Sequence, residues 1–348
     1  MESALTTSAG RPLSDAAPAS ASASADLPLA VGPAISTARF PSASSKSTSR
    51  RGSMALVLTI IAAKAKAPLS GDLVDRVRAA LGPAADAADW LSPGEACDIG
   101  VAGERATILD AARRALAGAP VDLAVLPAEN RRKKLLLADM DSTLIGQECI
   151  DELADVVGVG SHVAAITERA MRGEIAFEPA LRERVSLLAG LSRNVVERVL
   201  AERITLNPGG RTLVQTMRKA GAHTALVSGG FTVFTGPIAE RLGFHVNRAN
   251  TLILDGEIFT GHVAEPILGR EAKEATLREL AAELGIGLAD VIAVGDGAND
   301  LGMVRAAGLG VAYHAKPALR AEADAAIDHG DLSALLFLQG YRRDEFAA

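Results

Sequence analysis

Leu135-Leu136-Leu137-Ala138-Asp139-Met140-Asp141-Ser142-Thr143 is the stretch around which the rest of the chain arranges itself. An apolar run of strand length ends in two carboxylates two residues apart, and Gly146 then breaks the run. A buried strand that stops on acids delivers them to the carboxyl edge of a parallel sheet, where open α/β folds place their sites. Two acids this close repel each other, so the pair calls for a cation, a shared proton or both. Taken alone, the stretch reads equally well as a strand and turn, with Asp-x-Asp-Ser as loop formers.

Downstream, residues 149–204 read as several short helices punctuated by Gly158, Gly160, Gly173 and Gly190. They interrupt a βα alternation directly behind the first acids, where an inserted block can act as a lid. The alternation resumes with a helix over 208–220. A strand over 223–227 then ends on Ser228-Gly229-Gly230, and a hairpin over 250–260 turns at Asp255-Gly256. A helix over 272–284 and a strand over 291–294 ending on Gly295-Asp296-Gly297 follow. Asn299 and Asp300 open the next helix, and residues 310–313 and 325–327 are short late strands.

Upstream, residues 54–130 read as a small α/β domain with a ferredoxin-like or ACT-like layer. Strands are expected over 54–61 and 121–126. Helices are expected from Ser70 to Leu81, closed by Gly82, and over 104–116, closed by Gly118. The region around Trp90 and Pro93-Gly94 shows no clear element. No ligand motif marks this domain as a sensor, so a structural or interaction role is expected. Arg131-Arg132-Lys133-Lys134 is expected to be a solvated linker. Residues 1–53, rich in Ala, Ser and Pro, are expected to be a disordered extension, with Met54 an alternative start.

Composition narrows the function. The 348 residues suit about two domains, and 49% hydrophobic content supports a sizeable core. With 3% aromatics and a net charge of −6, neither stacking on nucleic acid nor binding to an anionic membrane is expected. Two cysteines exclude a disulfide framework and favour a cytoplasmic setting. The six histidines match no catalytic pattern and read as structural or solvated.

Three strands thus end on Asp139/Asp141, Ser228-Gly229 and Asp296, and parallel strands bring such ends to one edge. Three acids and Asn299 are oxygen ligands suited to Mg²⁺. A serine hydroxyl beside glycine amides suits phosphate oxygens. Lys273 precedes Leu277, Leu280 and Leu284 on the apolar face of its helix, near the N-terminus, where a cation needs an anion beside it.

Together, Asp139-Met140-Asp141-Ser142-Thr143, Ser228-Gly229-Gly230-Phe231, Lys273 and Gly295-Asp296-Gly297-Ala298-Asn299-Asp300 resemble the haloacid dehalogenase superfamily, over roughly residues 131–340. The resemblance implies a Rossmann-like parallel sheet over 131–348 with a small helical cap at about 146–206. It also implies hydrolysis of O-phospho-L-serine through an aspartyl phosphate, with Mg²⁺ as cofactor. Asp139 would be the nucleophile and Asp141 the proton donor and acceptor. Mg²⁺ would lie on Asp139, the Asp141 carbonyl and Asp296, with Asp300 behind them. Ser228, Gly229, Lys273 and Asn299 would hold phosphate. Glu148 would take the substrate ammonium and Arg184 its carboxylate, with Met171 and Phe177 shaping the pocket. Two alternatives stay open: a related small phosphomonoester such as phosphohomoserine as substrate, and a non-catalytic phospho-acceptor or binding module. The partner expected is a small molecule, and the sequence leaves homo-oligomerisation undecided.

Overall fold

The described residues build a four-stranded and a six-stranded sheet that share a buried seam, and a separate two-stranded hairpin. The computed structural model describes residues 55–63, 67–172 and 174–348, the side chain of Met171 excepted. The expectations for residues 1–53, the Met54 start and the Met171 side chain therefore lie outside the described residues. All described residues belong to one compact unit.

The first sheet comes from β1 (Leu56–Ala62), α1 (Gly71–Leu81), β2 (Asp89–Ser92), β3 (Ala96–Val101), α2 (Arg105–Leu116) and β4 (Val121–Pro127). Its order is β2-β3-β1-β4 and its pairings are antiparallel. Ser70 starts α1 by accepting the Leu73 N–H at 3.2 Å. Glu104 does the same for α2 at Ala106 and Thr107. α2 ends on two left-handed residues, Ala117 with φ 50° and the expected Gly118 with φ 82°. β2 and β3 fill the region around Trp90 where the sequence shows no clear element. On one face, Leu58, Ile60, Cys97 and Ile99 pack with Val74 and Val77 of α1 and Ile108 and Ala112 of α2. On the other, Ile61, Ala124 and Leu126 join the core that holds Phe337 and Leu338.

The second sheet begins with β5 (Leu135–Ala138), followed by α3 (Cys149–Val156), α4 (Gly160–Met171), α5 (Phe177–Ser186), α6 (Asn194–Glu202) and α7 (Gly210–Lys219). Then come β6 (His223–Phe231), α8 (Thr232–Leu242), β7 (Val246–Asn250), the hairpin β8 (Leu252–Asp255) and β9 (Ile258–Val263), and α9 (Arg270–Glu283). β10 (Val291–Gly295), α10 (Leu301–Ala306), β11 (Leu309–Tyr313), α11 (Pro317–Arg320), β12 (Ala325–Ile327) and α12 (Ala334–Leu338) complete the chain. The parallel order is β12-β11-β10-β5-β6-β7. β5 is central and buried on both faces: Leu135 and Leu137 face Leu277, Leu280 and Met303, while Leu136 and Ala138 face Leu213, Met217 and Phe234. Ala138 pairs with Val294 on one side and Leu226 on the other, so β5 and β10 end almost level while β6 runs on past them to Phe231.

Four helices, α3–α6, form the block inserted after β5. Its two linkers are tied together by an antiparallel bridge between Ile145 and Leu206 and by the Asn207 amide, which donates to Thr143 O at 2.8 Å and Ile145 O at 3.2 Å. The far side of the block is stitched to β9, where Phe259 N–H donates to Leu191 O at 2.9 Å and Arg193 N–H to Glu257 O at 2.8 Å.

The basic run at 131–134 is not the solvated linker expected from its charge. The Arg131 side chain is 13% exposed and pairs with Asp98. It also donates to Phe337 O at 3.0 Å and Leu338 O at 3.2 Å, at the C-terminus of α12. Phe337 O also accepts the Gly340 N–H at 2.9 Å, and both carbonyls sit at the negative end of the helix, where a cation is favoured. Lys133 is buried and donates to Asn130 O at 2.7 Å and Ala289 O at 2.8 Å. A few residues before the run, β4 contributes buried Asp122, whose carboxylate accepts the N–H groups of Asp328 and Gly330 at 2.7 and 2.8 Å.

Candidate active site

Asp139 is the first residue beyond β5, where the sheet opens. It is 3% exposed. Its Oδ1 accepts the Met140 N–H at 2.7 Å, and its Oδ2 lies 2.7 Å from Lys273 Nζ and 3.4 Å from Asn299 Nδ2. Lys273 does not reach solvent: it is 2% exposed and its ammonium lies between Asp139 Oδ2 and Asp300 Oδ1, 2.7 Å from each. Burial pulls its pKa down, but the two carboxylates outweigh burial and hold it above the ordinary lysine value. Asp139 is driven well above the usual carboxylate range by burial and then by Asp300, with Lys273 opposing.

Asp300 is fully buried, and its Oδ2 accepts the N–H groups of Asp296 and Gly297, both at 3.1 Å. It packs so closely beneath Gly295 that a Cβ there would lie 2.3 Å from the Asp300 Cγ, so β10 must end on glycine. Asp139, Asp296 and Asp300 each place a carboxylate oxygen within 4.8 Å of the others. Both Asp300 oxygens are committed to Lys273 and backbone N–H groups, and the Asp139 oxygens to Lys273 and the Met140 N–H, so Asp296 is the most open carboxylate of the three. Asp296 is pushed up to about 6 by burial and then by Asp300, while Lys316, 3.9 Å away, opposes. A buried, oxygen-only, acid-rich cluster fits a hard divalent cation.

Asp141 lies beside this cluster. Its Oδ1 accepts the Cys149 N–H at 3.0 Å, at the first residue of α3, and its Oδ2 is 3.5 Å from Ser228 Oγ. Burial, with Glu148 adding to it, pushes its pKa up to about 7. Such a carboxyl can both give and take a proton near neutrality. The end of β6 comes up against it: a Cβ on Gly230 would lie 3.0 Å from Asp141 Oδ2. Ser228 Oγ accepts the Gly230 N–H at 2.9 Å, and Asn250 braces the loop by donating to Gly229 O at 2.8 Å.

The inserted helices face this floor. Phe177, 42% exposed, opens α5 with its ring edge near Gly229 and Gly269. Arg184 is partly buried on the same helix, and its Nε donates to Ala180 O at 3.3 Å. Burial lowers its pKa, while Asp151 and Glu148 act against the shift, so both acids are within electrostatic reach of it. Glu148 precedes α3 and accepts a hydrogen bond from Ser142 at 2.8 Å. Among the described residues, no hydrogen bond or ion pair joins Arg184 to the acidic cluster.

The fold therefore gathers Asp139, Asp141, Ser228, Gly229, Lys273, Asp296, Asn299 and Asp300 at one sheet edge, with Glu148 close by. His223 and His245 stand apart: they stack 4.5 Å apart where β6 begins, at the opposite end of that strand. Sequence reasoning missed the Cys149 N–H, Asn250 and the approach of Lys316 to Asp296. Only Lys316 had a signal, since it follows the late strand β11 on the same edge as the acids.

The chain matches the haloacid dehalogenase-like hydrolases over residues 136–305. A phosphoserine phosphatase of Streptomyces coelicolor is 46% identical over 231 residues, which cover 66% of this chain and 56% of the relative. One from a Polaromonas species is 48% identical over 210 residues, covering 59% of this chain and 89% of the relative. A crystal structure of a haloacid dehalogenase family hydrolase from Salmonella enterica serovar Typhi is similar with a TM-score of 0.73 at 28% identity, covering 82% of this chain and 98% of that one. The chain belongs to the haloacid dehalogenase-like hydrolases. Within that family, both relatives above bear the name phosphoserine phosphatase, and the chain spans a little over half the length of the Streptomyces protein.

Proposed function

We propose that this chain hydrolyses O-phospho-L-serine to L-serine and inorganic phosphate, the closing step of serine biosynthesis, in the cytoplasm. The observation that carries the reading is the Asp139 carboxylate at the end of the central strand, 2.7 Å from buried Lys273, with Asp141 two residues on. Phosphate monoester hydrolysis is very slow uncatalysed, and division into two displacements makes each easier. Asp139 attacks phosphorus, and the bond to the serine oxygen breaks as Asp141 protonates that oxygen. Asp141, now a carboxylate, takes a proton from water, which attacks the phospho-aspartate. Phosphate departs and Asp139 is regenerated.

Ser228 Oγ, the Gly229 N–H and the Lys273 ammonium hold the equatorial phosphate oxygens, and Asn299 supports them. Asp139, the Asp141 carbonyl and Asp296 would hold Mg²⁺, which would supply positive charge where an anionic nucleophile meets an anionic phosphate. Asp300 positions Lys273 and the Asp296 backbone. Glu148 takes the substrate ammonium, and Arg184 takes the carboxylate by a two-pronged contact.

On this reading residues 131–348 carry the chemistry, with about 146–206 closing over the substrate. Residues 54–130 act structurally through the Arg131 and Asp122 contacts. Phosphate release from phosphoserine, phosphothreonine, phosphohomoserine and phosphoglycolate, each with Mg²⁺, tests the proposal. Phosphoserine should lead in kcat/KM, and a panel led by another compound would replace the substrate.

A further inference from the structure

Glu148 does not use its position in the ordinary way. It stands at the N-cap of α3, yet its side chain makes no capping hydrogen bond. Its Oε1 instead accepts from Ser142 Oγ at 2.8 Å. Ser142 has φ 54°, in the left-handed region. That conformation is strained for a residue with a Cβ. Strain of this kind persists where the surroundings over-determine it, and it clusters at sites.

The surroundings here do over-determine it. Ser142 N–H donates to Gln147 O at 3.2 Å. The Gln147 amide is held at both ends by Thr205, at 2.8 Å to the hydroxyl and 2.9 Å from the N–H. Gly146 N–H donates to Thr205 O at 3.1 Å. The loop that carries Ser142 is thus pinned to the second linker of the inserted block, and the hydroxyl is presented from a fixed backbone. Glu148 is exposed and would otherwise sample many rotamers. Its charge is felt by Asp141, Asp296 and Arg184, which places the carboxylate between the acidic floor and the cap arginine.

We propose that Ser142 is a positioning residue. Its hydroxyl fixes Glu148 where a substrate ammonium docks, and so sets the preference for phosphoesters that carry an α-amino group. The inference rests on the phosphoserine reading of the same site.

Ser142→Gly is the informative variant, because glycine adopts the left-handed conformation freely and the change removes the hydroxymethyl group without adding backbone strain. Two substrates are compared, O-phospho-L-serine and 3-phosphooxypropanoate, which has the same skeleton without the amine. Ser142→Gly should lower kcat/KM for phosphoserine by at least about tenfold, mainly through KM, as loss of one hydrogen bond to a charged group predicts. The amine-free ester should change less than about twofold, since nothing on it contacts Glu148. Ser142→Asn tolerates the same backbone and offers an amide donor, so it should recover part of the preference. Equal losses on both esters, or an unchanged preference in Ser142→Gly, would overturn the role of Ser142 alone. A wild type that does not distinguish the two esters would overturn the phosphoserine reading first and this inference with it.

Discussion

Replacing Lys273 with methionine keeps the length of the side chain and removes its charge. In the native protein the ammonium lies 2.7 Å from a carboxylate oxygen of Asp139 and 2.7 Å from one of Asp300, with 2% of its side chain exposed. Removing one partner of a buried ion pair strands the others, at a cost of about 3–5 kcal/mol in stability. The nucleophile also suffers: Asp139 is already raised by burial and Asp300, with Lys273 opposing, so loss of the lysine raises it further and disfavours the carboxylate that must attack. The transferring phosphoryl group loses a preorganised cation as well, worth about 10²–10³ in kcat. The stability and activity effects separate in the double variant Lys273→Met/Asp300→Asn. Asparagine keeps an oxygen for the Asp296 and Gly297 N–H groups but removes one of the two stranded charges. Urea unfolding should show the double variant more stable than Lys273→Met, while phosphate release stays down by at least about 10²-fold in both. A Lys273→Met enzyme within threefold of wild-type kcat, or a double variant no more stable than the single, would refute the reasoning.

Arg184→Ala should lower kcat/KM on phosphoserine by about 10²-fold, as expected for truncating a charged, hydrogen-bonded partner. Hydrolysis of p-nitrophenyl phosphate, which has no α-carboxylate, should stay within about threefold, and equal losses would remove the clamp. The Mg²⁺ effect on stability should depend on pH. Folding raises Asp296 to about 6 and Asp141 to about 7, so each favours the metal-free fold at low pH and loses that contribution as pH rises toward its folded value. His245, lowered to about 4 by burial and by His223, has the opposite sign and cancels in the difference with and without metal. The gain in Tm on adding Mg²⁺ should therefore grow between pH 5 and 7.5, and a gain independent of pH would count against the carboxylate site. Arg131→Met should cost about 3 kcal/mol in urea unfolding by leaving buried Asp98 without its cation and with only the Thr59 hydroxyl as partner, with KM unchanged. A loss below about 0.5 kcal/mol would make the pair an ordinary surface contact.

The central strands were readable because parallel strands buried on both faces are unbroken apolar runs, and each of three such runs ended on chemistry. Lys273 was readable because the helical period set a cation on an apolar face, which physical chemistry forbids without an anion. β7 was not readable: it lies at the sheet edge, and Val246-Asn247-Arg248-Ala249-Asn250 looks like loop when only part of it is buried. β2 and β3 were hidden because Asp98 interrupts their apolar pattern, and its partner Arg131 is 33 residues away. The same separation misled the reading of the basic run, whose charges answer helix-end carbonyls that local sequence does not reveal. The bonds of Cys149 to Asp141 and of Asn250 to Gly229 depend on elements meeting in space, and no periodicity announces them.

The most direct test is to trap the covalent intermediate. The enzyme is mixed with O-phospho-L-serine and Mg²⁺ and quenched in acid during turnover. Treatment with borohydride, which reduces an acyl phosphate to the alcohol, and peptide mass spectrometry follow. The reading above predicts that Asp139 is converted to homoserine only when phosphoserine is present, and that Asp139→Asn yields neither the modified peptide nor phosphate. Steady turnover with Asp139 unmodified, or with the modification on another carboxylate, would contradict it.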